Sequence, residues 1–581
     1  MNTITQLLLI LLLTVTTLYS IETENNPINS NDINISQILK HNFYKKRRTP
    51  FLKHISNKKF LQRFYRKNQY NPLWIEKNIL NKSKYNTLIT LIKNDLTLDR
   101  SGILIKKTEE IEKELDSNLT QKELLRTEIK LTSLYYDFLN HTIYGEIQWR
   151  GFSRKLSSLK RKRINASWVR IKPKFNISEL ISEEDINTTI ISVTPKHFGY
   201  QNLIKALEKL YKIKEKGGWE KLPYFKRLKM ESTGELVVEL RQRLRDSGDY
   251  SKCENNQTTQ VEDNSTVVAS NEINSSIEKK NIDPEAIFGE CLDSAVKRFQ
   301  QRHGLTIDGI VGSGTQGALN LSVEEKIKKV LLNIDRIKWL PRNEDKRYLV
   351  ANLPEFELYY IEDEKVKKKI RIIIGDKKHP TPIFSEKISY VVLNPYWKVP
   401  EGIVRREIIP KMIKNRNYLR KQGLVAHRTW SEKSKRINLS NIYWEQYLWG
   451  GVKFPYRLMQ PPGPKNALGK IKFKFPNRFA VYLHDTPTRH LFKKDVRAFS
   501  HGCVRVSEPK SLLETVASFN TNIDMTKANK ILKGKRKVQY NIKNKLPIYL
   551  IYITAGLGSE NQLLFRNDIY NYDKYQKRTI R

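Results

Sequence analysis

Cysteine is scarce in this chain. Three occur in 581 residues, beside 5 methionines and 10 histidines. Three cysteines allow one intrachain disulfide at most and leave at least one thiol over. Long apolar runs are also missing. Residues 7–13, Leu-Leu-Leu-Ile-Leu-Leu-Leu, are unbroken, and threonine, valine and tyrosine extend the run to Ser20. That is shorter than the about 20 apolar residues of a membrane-spanning helix, and the rest is too polar for further spans. Acidic residues are few: 61 Asp and Glu stand against 105 Lys and Arg, for a net charge of +44. Such a charge bears on solubility and nonspecific binding, not on fold. No nucleic-acid recognition motif accompanies it, so nucleic acid is not an expected partner. Two readings of the charge remain. One is attraction to an anionic polymer or an anionic membrane surface. The other is a lysine-rich composition with solvated side chains.

The N-terminal run reads as the core of a secretory signal cleaved near Ser20, or as an uncleaved membrane anchor. Its start lacks Lys and Arg, it has no clean small-x-small cleavage site, and no lipidation cysteine follows it. Cys253 and Cys291 flank a polar stretch. Paired in an oxidising compartment, they leave Cys503 as the free thiol; unpaired, they are incidental.

The chemistry concentrates in Ser500-His-Gly-Cys-Val-Arg505, read together with His484. A thiol becomes a strong nucleophile when a nearby imidazole takes its proton. Gly502 permits a tight turn before Cys503, so that N–H groups of the turn can face a developing oxyanion. His484 is the expected base and Cys503 the nucleophile. His501, two residues from Cys503, is the alternative base. The spacing of His484, Asp485, His490, His501 and Cys503 matches no common zinc motif, so neither a metal nor another cofactor is expected.

Tyr482-Leu-His-Asp-Thr-Pro487 followed by Ser500-His-Gly-Cys-Val-Arg505 resembles the signature of L,D-transpeptidases with a YkuD-type catalytic domain. In that signature a histidine precedes Ser/Thr-His-Gly-Cys by one loop, and residues 485–499 fill that gap here. Thr381-Pro-Ile-Phe384, Asn394-Pro-Tyr-Trp-Lys-Val-Pro400, Gln460-Pro-Pro-Gly-Pro464, Asn466-Ala-Leu-Gly469 and Phe475-Pro-Asn-Arg478 resemble the large periplasmic branch of the family. The similarity runs over roughly residues 335–572. Arg505 stands where the family most often has Asn, though Arg also occurs there in the large branch.

The resemblance implies a periplasmic enzyme, exported by an N-terminal signal that is either cleaved or kept as an inner-membrane anchor. The enzyme would join peptidoglycan stem peptides, a donor and an acceptor, by 3→3 cross-links and would react with carbapenems. With water as acceptor the same acyl-enzyme gives an L,D-carboxypeptidase; with a lipoprotein lysine, a wall anchor. A wall-binding scaffold without catalysis is the non-enzyme reading. Arg505 is expected to bind the donor's carboxylate or else to pair with Glu508. Ser500 and Tyr482 are expected substrate contacts, and Tyr482 shares a strand face with His484. Cys503 is expected near the positive end of a helix over 509–519, which favours a thiolate.

The expected fold is multidomain α+β. After the N-terminal segment come a disordered stretch (21–35) and a helical scaffold domain (36–227), in which Trp149 and Trp168 read as core aromatics. Residues 228–320 resemble a peptidoglycan-binding type 1 module, a small three-helix bundle, on Val296-Lys-Arg-Phe-Gln-Gln-Arg-His-Gly-Leu305 and Asp308-Gly-Ile-Val-Gly312. Residues 252–283 read as a flexible insertion in it. A linker (321–344) leads to a β-rich, sandwich-like catalytic domain (345–556), with a C-terminal tail (557–581). Residues 401–460 interrupt the strands, either as a capping segment over the site or as an ordinary surface insertion. A helix is expected over Ile409–Gln422 and an aromatic patch over Trp444–Trp449.

Overall fold

The computed structural model describes residues 34–44, 55, 57–115, 119–250, 283–342, 345–448, 451–558 and 562–578. The N-terminal signal or anchor, most of the 21–35 stretch, the 252–283 insertion up to residue 282, and with it Cys253, lie outside them. Among the described residues no helix is long and apolar enough to cross a membrane.

The chain forms two compact units. The first takes its residues from 1–93, 104–138 and 176–187, and the second from 94–103, 139–175 and 188–581. The stretch expected as one helical scaffold is helical, but it is shared between the units. In the first, helices such as Lys58–Lys67 and Lys82–Asn94 bury Leu61, Phe64, Tyr65, Leu88 and Ile92. Glu128 ties this core together. It accepts from the Tyr65 hydroxyl at 2.7 Å and from the N–H groups of Leu73 and Trp74 at 2.8 and 2.9 Å.

The second unit contains a three-helix bundle: α1 (Glu235–Asp246), α2 (Glu290–His303) and α3 (Ser313–Leu319). Their apolar stripes meet at Val237, Leu240, Leu244, Leu292, Val296, Phe299 and Leu319. The residues expected as a linker are not one. Val323–Lys338 forms a helix, α4, opened by a capping box between Ser322 and Glu325. Its apolar stripe, Ile327, Val330, Leu331, Ile334 and Ile337, is buried, so tertiary packing makes it a central element. The Ser-x-x-Glu start was its sequence signal. The expected tail is likewise structured. Ala555–Leu557 pairs with Leu563–Phe565, and Tyr570 and Tyr572 are buried.

Beyond α4 the chain becomes a single nine-stranded sheet. Its strands are β1 (Arg347–Asn352), β2 (Glu357–Glu362), β3 (Lys365–Gly375), β4 (Phe384–Leu393), β5 (Ile471–Lys474), β6 (Leu483–His484), β7 (Ala498–Ser500), β8 (Val504–Val506) and β9 (Val538–Ile551). Their spatial order is β7-β3-β8-β6-β5-β4-β9-β1-β2, and β2 pairs back onto β3. The sandwich-like arrangement is therefore one continuous sheet that closes on itself. Alternation along the strands sends Leu349, Leu358, Ile372, Val391, Phe473, Leu483 and Val504 into one core. Tyr348, Val350, Tyr549 and Ile551 face outward onto α4. Trp168 stands in the same unit with Trp339 and Phe152 at ring separations of 6.1 and 5.5 Å, a core role as expected.

The insertion between β4 and β5 has its own core. Trp397–Lys398, Val425–His427, Arg436–Ile437 and Arg457–Gln460 form a four-stranded sheet. Val399, Ile408, Met412, Leu419, Trp444 and Leu458 fill its interior. The expected helix over 409–422 is two, Ile409–Lys414 and Tyr418–Gln422, because Asn415 is extended (φ −148°, ψ 99°). Within the expected aromatic patch, Trp444 and Tyr447 pack on Phe454 at ring separations of 5.3 and 5.2 Å, with Trp444 fully buried; Trp449 lies outside the described residues.

A buried ionic cluster fastens α4. Asp335, wholly buried, accepts from the Glu146 N–H at 3.0 Å and from Arg578 Nε at 2.9 Å. Lys338 donates to the His141 carbonyl at 3.1 Å. Gly145 (φ +69°) sits so close that a Cβ there would lie 2.4 Å from Asp335 Oδ1. Burial alone would raise the Asp335 carboxyl. Arg578, Lys338 and His141 outweigh it and hold the group below its ordinary range. A depressed carboxyl contributes stability above its unfolded value near about pH 4, and that contribution is lost as pH falls through the folded value. Asp335→Ala removes the buried carboxylate that faces Lys338 and Arg578, and we expect a loss of about 3–5 kcal/mol in urea unfolding at neutral pH. The loss should shrink on acidification below about pH 4 as the wild type gives up the same contribution. A variant as stable as wild type at neutral pH would contradict the pairing.

Candidate active site

Two very short strands assemble the site. β6 and β8 run parallel, with Leu483 opposite Val504 and His484 opposite Arg505. The Val504 N–H donates to the Tyr482 carbonyl at 3.1 Å, which seats Cys503 beside Tyr482. On its other edge β6 pairs with β5, placing Lys472 opposite His484. Inward residues fill the sheet's core, and the outward ones line a cleft of about 620 Å³ roofed by the inserted segment. Tyr482, His484, Ser500, His501, Cys503, Arg505 and Lys472 all line it, together with Tyr396, Ile403, Arg406 and Glu407 from the insertion. The 401–460 region is thus a cap over the site.

Cys503 is a free cysteine. Burial raises its thiol above the ordinary value, against the pull of the Tyr482 N–H, the Lys472 charge, the Tyr482 hydroxyl and Arg505. At rest it is a neutral thiol. The expected help from a helix terminus is missing. Cys503 leads directly into β8, and the helix α5, Pro509–Ala517, begins only after that extended strand. A helix dipole acts within about one turn of its end, so α5 is too far along the chain to hold the sulfur's charge. The cations at hand are Lys472 and Arg505.

His484 is buried, and its Nδ1 lies 2.5 Å from the Asp485 carbonyl. A carbonyl only accepts, so Nδ1 carries the hydrogen and the neutral ring keeps its lone pair on Nε2. Burial, with the Arg505 and Lys472 charges, lowers His484 to about 3, partly offset by the Asp485 carbonyl. The ring is therefore neutral across the physiological range and ready to take a proton at Nε2.

His501 stands apart. Its Nε2 is 2.5 Å from Glu407 Oε1, on a π-helical turn of the cap (Val404–Ile408), and its ring lies 4.7 Å from that of His379. This engages it with the inserted segment. Gly502 has φ +107°, which only glycine adopts without strain, so the turn requires it. Its N–H, however, donates to Ser500 Oγ at 3.1 Å, and Ser500 Oγ in turn donates to the Cys503 carbonyl at 2.5 Å. The serine hydroxyl therefore braces the turn instead of facing a ligand, and the Gly502 N–H is not free for an oxyanion. Among the described residues the Cys503 N–H has no acceptor. Arg505 donates to Thr488 Oγ1 at 3.2 Å, leaves its buried Nε unpaired, and makes no ion pair with Glu508 or any other described residue.

Several polar residues of the segments that carried the resemblance act as braces. Asn466 Nδ2 donates to the carbonyls of Pro395, Gln460 and Pro461 at 2.9–3.1 Å. Gln460 Nε2 donates to Gln422 and Lys465. Thr381 Oγ1 accepts from Gly375 N at 2.8 Å. Lys472 was not singled out from the sequence. Its signal was the alternation of Ile471-Lys-Phe-Lys474, which puts both lysines on the outward face, but the register against His484 is not visible in sequence.

Residues 346–536 match the family model of the YkuD L,D-transpeptidase catalytic domain. Residues 59–207 match a scaffold domain and 275–319 a "Putative peptidoglycan binding domain". The chain thus carries all three. A curated "Putative L,D-transpeptidase" of Haemophilus influenzae is 32% identical over 247 residues, 42% of this chain and 48% of that protein. The chain thus spans about half the length of that relative. Among solved structures, an L,D-transpeptidase from Mycobacterium smegmatis aligns at 12% identity over 36% of this chain and 58% of its own, with TM-score 0.17. One from Xylanimonas cellulosilytica aligns at 15% identity over 57% and 99%, with TM-score 0.16. Overlaps this weak say nothing about the reaction of this chain.

A neutral resting thiol makes a distinct kinetic signature. The alkylation rate of Cys503 by iodoacetamide should climb steadily from about pH 6 to about pH 8.5. A plateau below about pH 8 would reveal a preformed thiolate and refute this electrostatic account.

Proposed function

We propose that the chain is a peptidoglycan L,D-transpeptidase forming 3→3 cross-links through a cysteinyl acyl-enzyme. The observation that carries this reading is a free thiol and a neutral, outward-facing histidine meeting in one basic cleft, inside the matched catalytic domain. His484 Nε2 takes the proton of Cys503 as the sulfur attacks the carbonyl carbon of the donor stem's third residue. The Cys503 N–H faces the developing oxyanion. The bond to the terminal D-alanine breaks, and its amine leaves with the proton from His484. The side-chain amine of a second stem then attacks the thioester and gives its proton to His484, which returns it to the departing sulfur. Arg505, with an unpaired buried Nε, is suited to a donor carboxylate. Tyr482 lines the cleft with the sulfur and is suited to contact the substrate there. The bundle at 228–320 would hold the enzyme on the wall and raise local substrate concentration. An N-terminal export signal, with or without a retained anchor, and a periplasmic location go with this reading.

Water or a lipoprotein lysine as acceptor would use the same acyl-enzyme. Mass spectrometry of digested sacculi separates these outcomes. Wild type should yield 3→3 dimers, and Cys503→Ala none, with unchanged melting. Shortened stems alone would assign a carboxypeptidase instead, and wall-bound lipoprotein peptides an anchoring enzyme. Dimers at wild-type yield from Cys503→Ala would remove the thiol from the mechanism.

A carbapenem offers the sulfur a strained, electrophilic carbonyl. Intact mass should rise by one adduct on wild type and by none on Cys503→Ala. An adduct retained by the alanine variant would place the nucleophile elsewhere.

A further inference from the structure

Lys472 has no part in the acyl-transfer scheme above, yet it is a cation set directly against it. It lies on β5 directly opposite His484. Its ammonium sits 3.8 Å from the centroid of the Tyr482 ring. That ring stands edge-on to His484 at 5.6 Å and lines the cleft beside Cys503, whose thiolate both Lys472 and the Tyr482 hydroxyl favour. Lysine and aromatic ring thus stand together on the wall of the cleft that the sulfur also lines.

We propose that Lys472 is the fixed counter-cation of the Cys503 sulfur anion, acting across the Tyr482 ring, and so a positioning residue for the nucleophile. It acts on the sulfur through space and on Tyr482 by cation–π contact, which grows stronger away from water. The charged and titratable groups around it are Cys503, Tyr482 and His484, with Arg505 beyond them and Lys474, Lys398 and Lys537 on the same wall. Three of these are further lysines, and the charges that act most on it are Lys474, Cys503, Lys398 and Lys537. Lys537 is itself paired with Glu432. Burial, reinforced by Lys474, lowers Lys472 to about 8 even though Cys503 pulls the other way. Holding a cation at this cost makes sense if an anion forms beside it. The sulfur is that anion once its proton has moved to His484.

The inference deepens the transpeptidase reading, but its test needs no peptidoglycan. Iodoacetamide alkylation of Cys503 is followed against pH for wild type, Lys472→Met and Lys472→Arg, each checked by thermal melting. Removing a neighbouring cation shifts a thiol by about one unit or more. Lys472→Met should therefore react about tenfold or more slowly at about pH 7.5, with its profile displaced upward. Lys472→Arg keeps the charge and should stay within about threefold of wild type. If Lys472→Met does not fold, Lys472→Gln supplies the neutral variant. A Met or Gln profile that overlays wild type, or an Arg variant as slow as the neutral one, overturns the proposal. A displaced alkylation profile in a protein that makes no cross-links would keep this role and sink the transpeptidase reading.

Discussion

The site depends on one short parallel ladder. β6 and β8 are two and three residues long, and between them lie the loop and turn that carry the rest of the motif. Strands this brief would not hold a register alone. They hold it because β5 pairs on one flank and β3 on the other, in a sheet that closes through β2. Leu483, Val504 and Val506 lock the inward face into the core. With that register set, His484, Tyr482 and Arg505 must face outward together, since side chains alternate along a strand. Slipping the ladder by one residue would bury the histidine in the core and put Leu483 in the cleft.

Electrostatics then divides the labour. The two cations near the sulfur lower the cost of its ionisation, but they raise the cost of a charged imidazole beside them. A standing thiolate–imidazolium pair is therefore disfavoured in this cleft. Proton transfer to His484 is affordable only while the sulfur's charge is being spread into a forming bond. The cap has a part in this. Glu407 takes up His501, so the second imidazole of the motif serves the roof and does not compete as a base.

Much of this was legible in the sequence. Ser500-His-Gly-Cys503 with His484 pointed to the residues that the fold gathers in one cleft, and the strand-rich pattern from Tyr348 onward announced the sheet. What escaped notice depends on register or on distant partners. Lys472 is an unremarkable lysine until β5 is laid against β6. His501 looked like a rival base because its partner, Glu407, lies 94 positions away in the chain. The free oxyanion donor could not be chosen from the turn alone, since Ser500 occupies the Gly502 N–H. The helix α4 was mistaken for a linker although its capping box was in plain view; its charged residues, Asp335, Arg336 and Lys338, masked an element whose polar side is buried too.

The raised thiol has a consequence outside the catalytic cycle. Peroxides and disulfides attack thiolates, and a neutral thiol is slow to form a sulfenic acid or a mixed disulfide. Cys503 is shielded from both by the same desolvation that makes it hard to ionise. An exposed low-value thiolate would be faster on any electrophile, including the wrong ones. The cleft trades thiolate reactivity for a sulfur that stays reduced and intact.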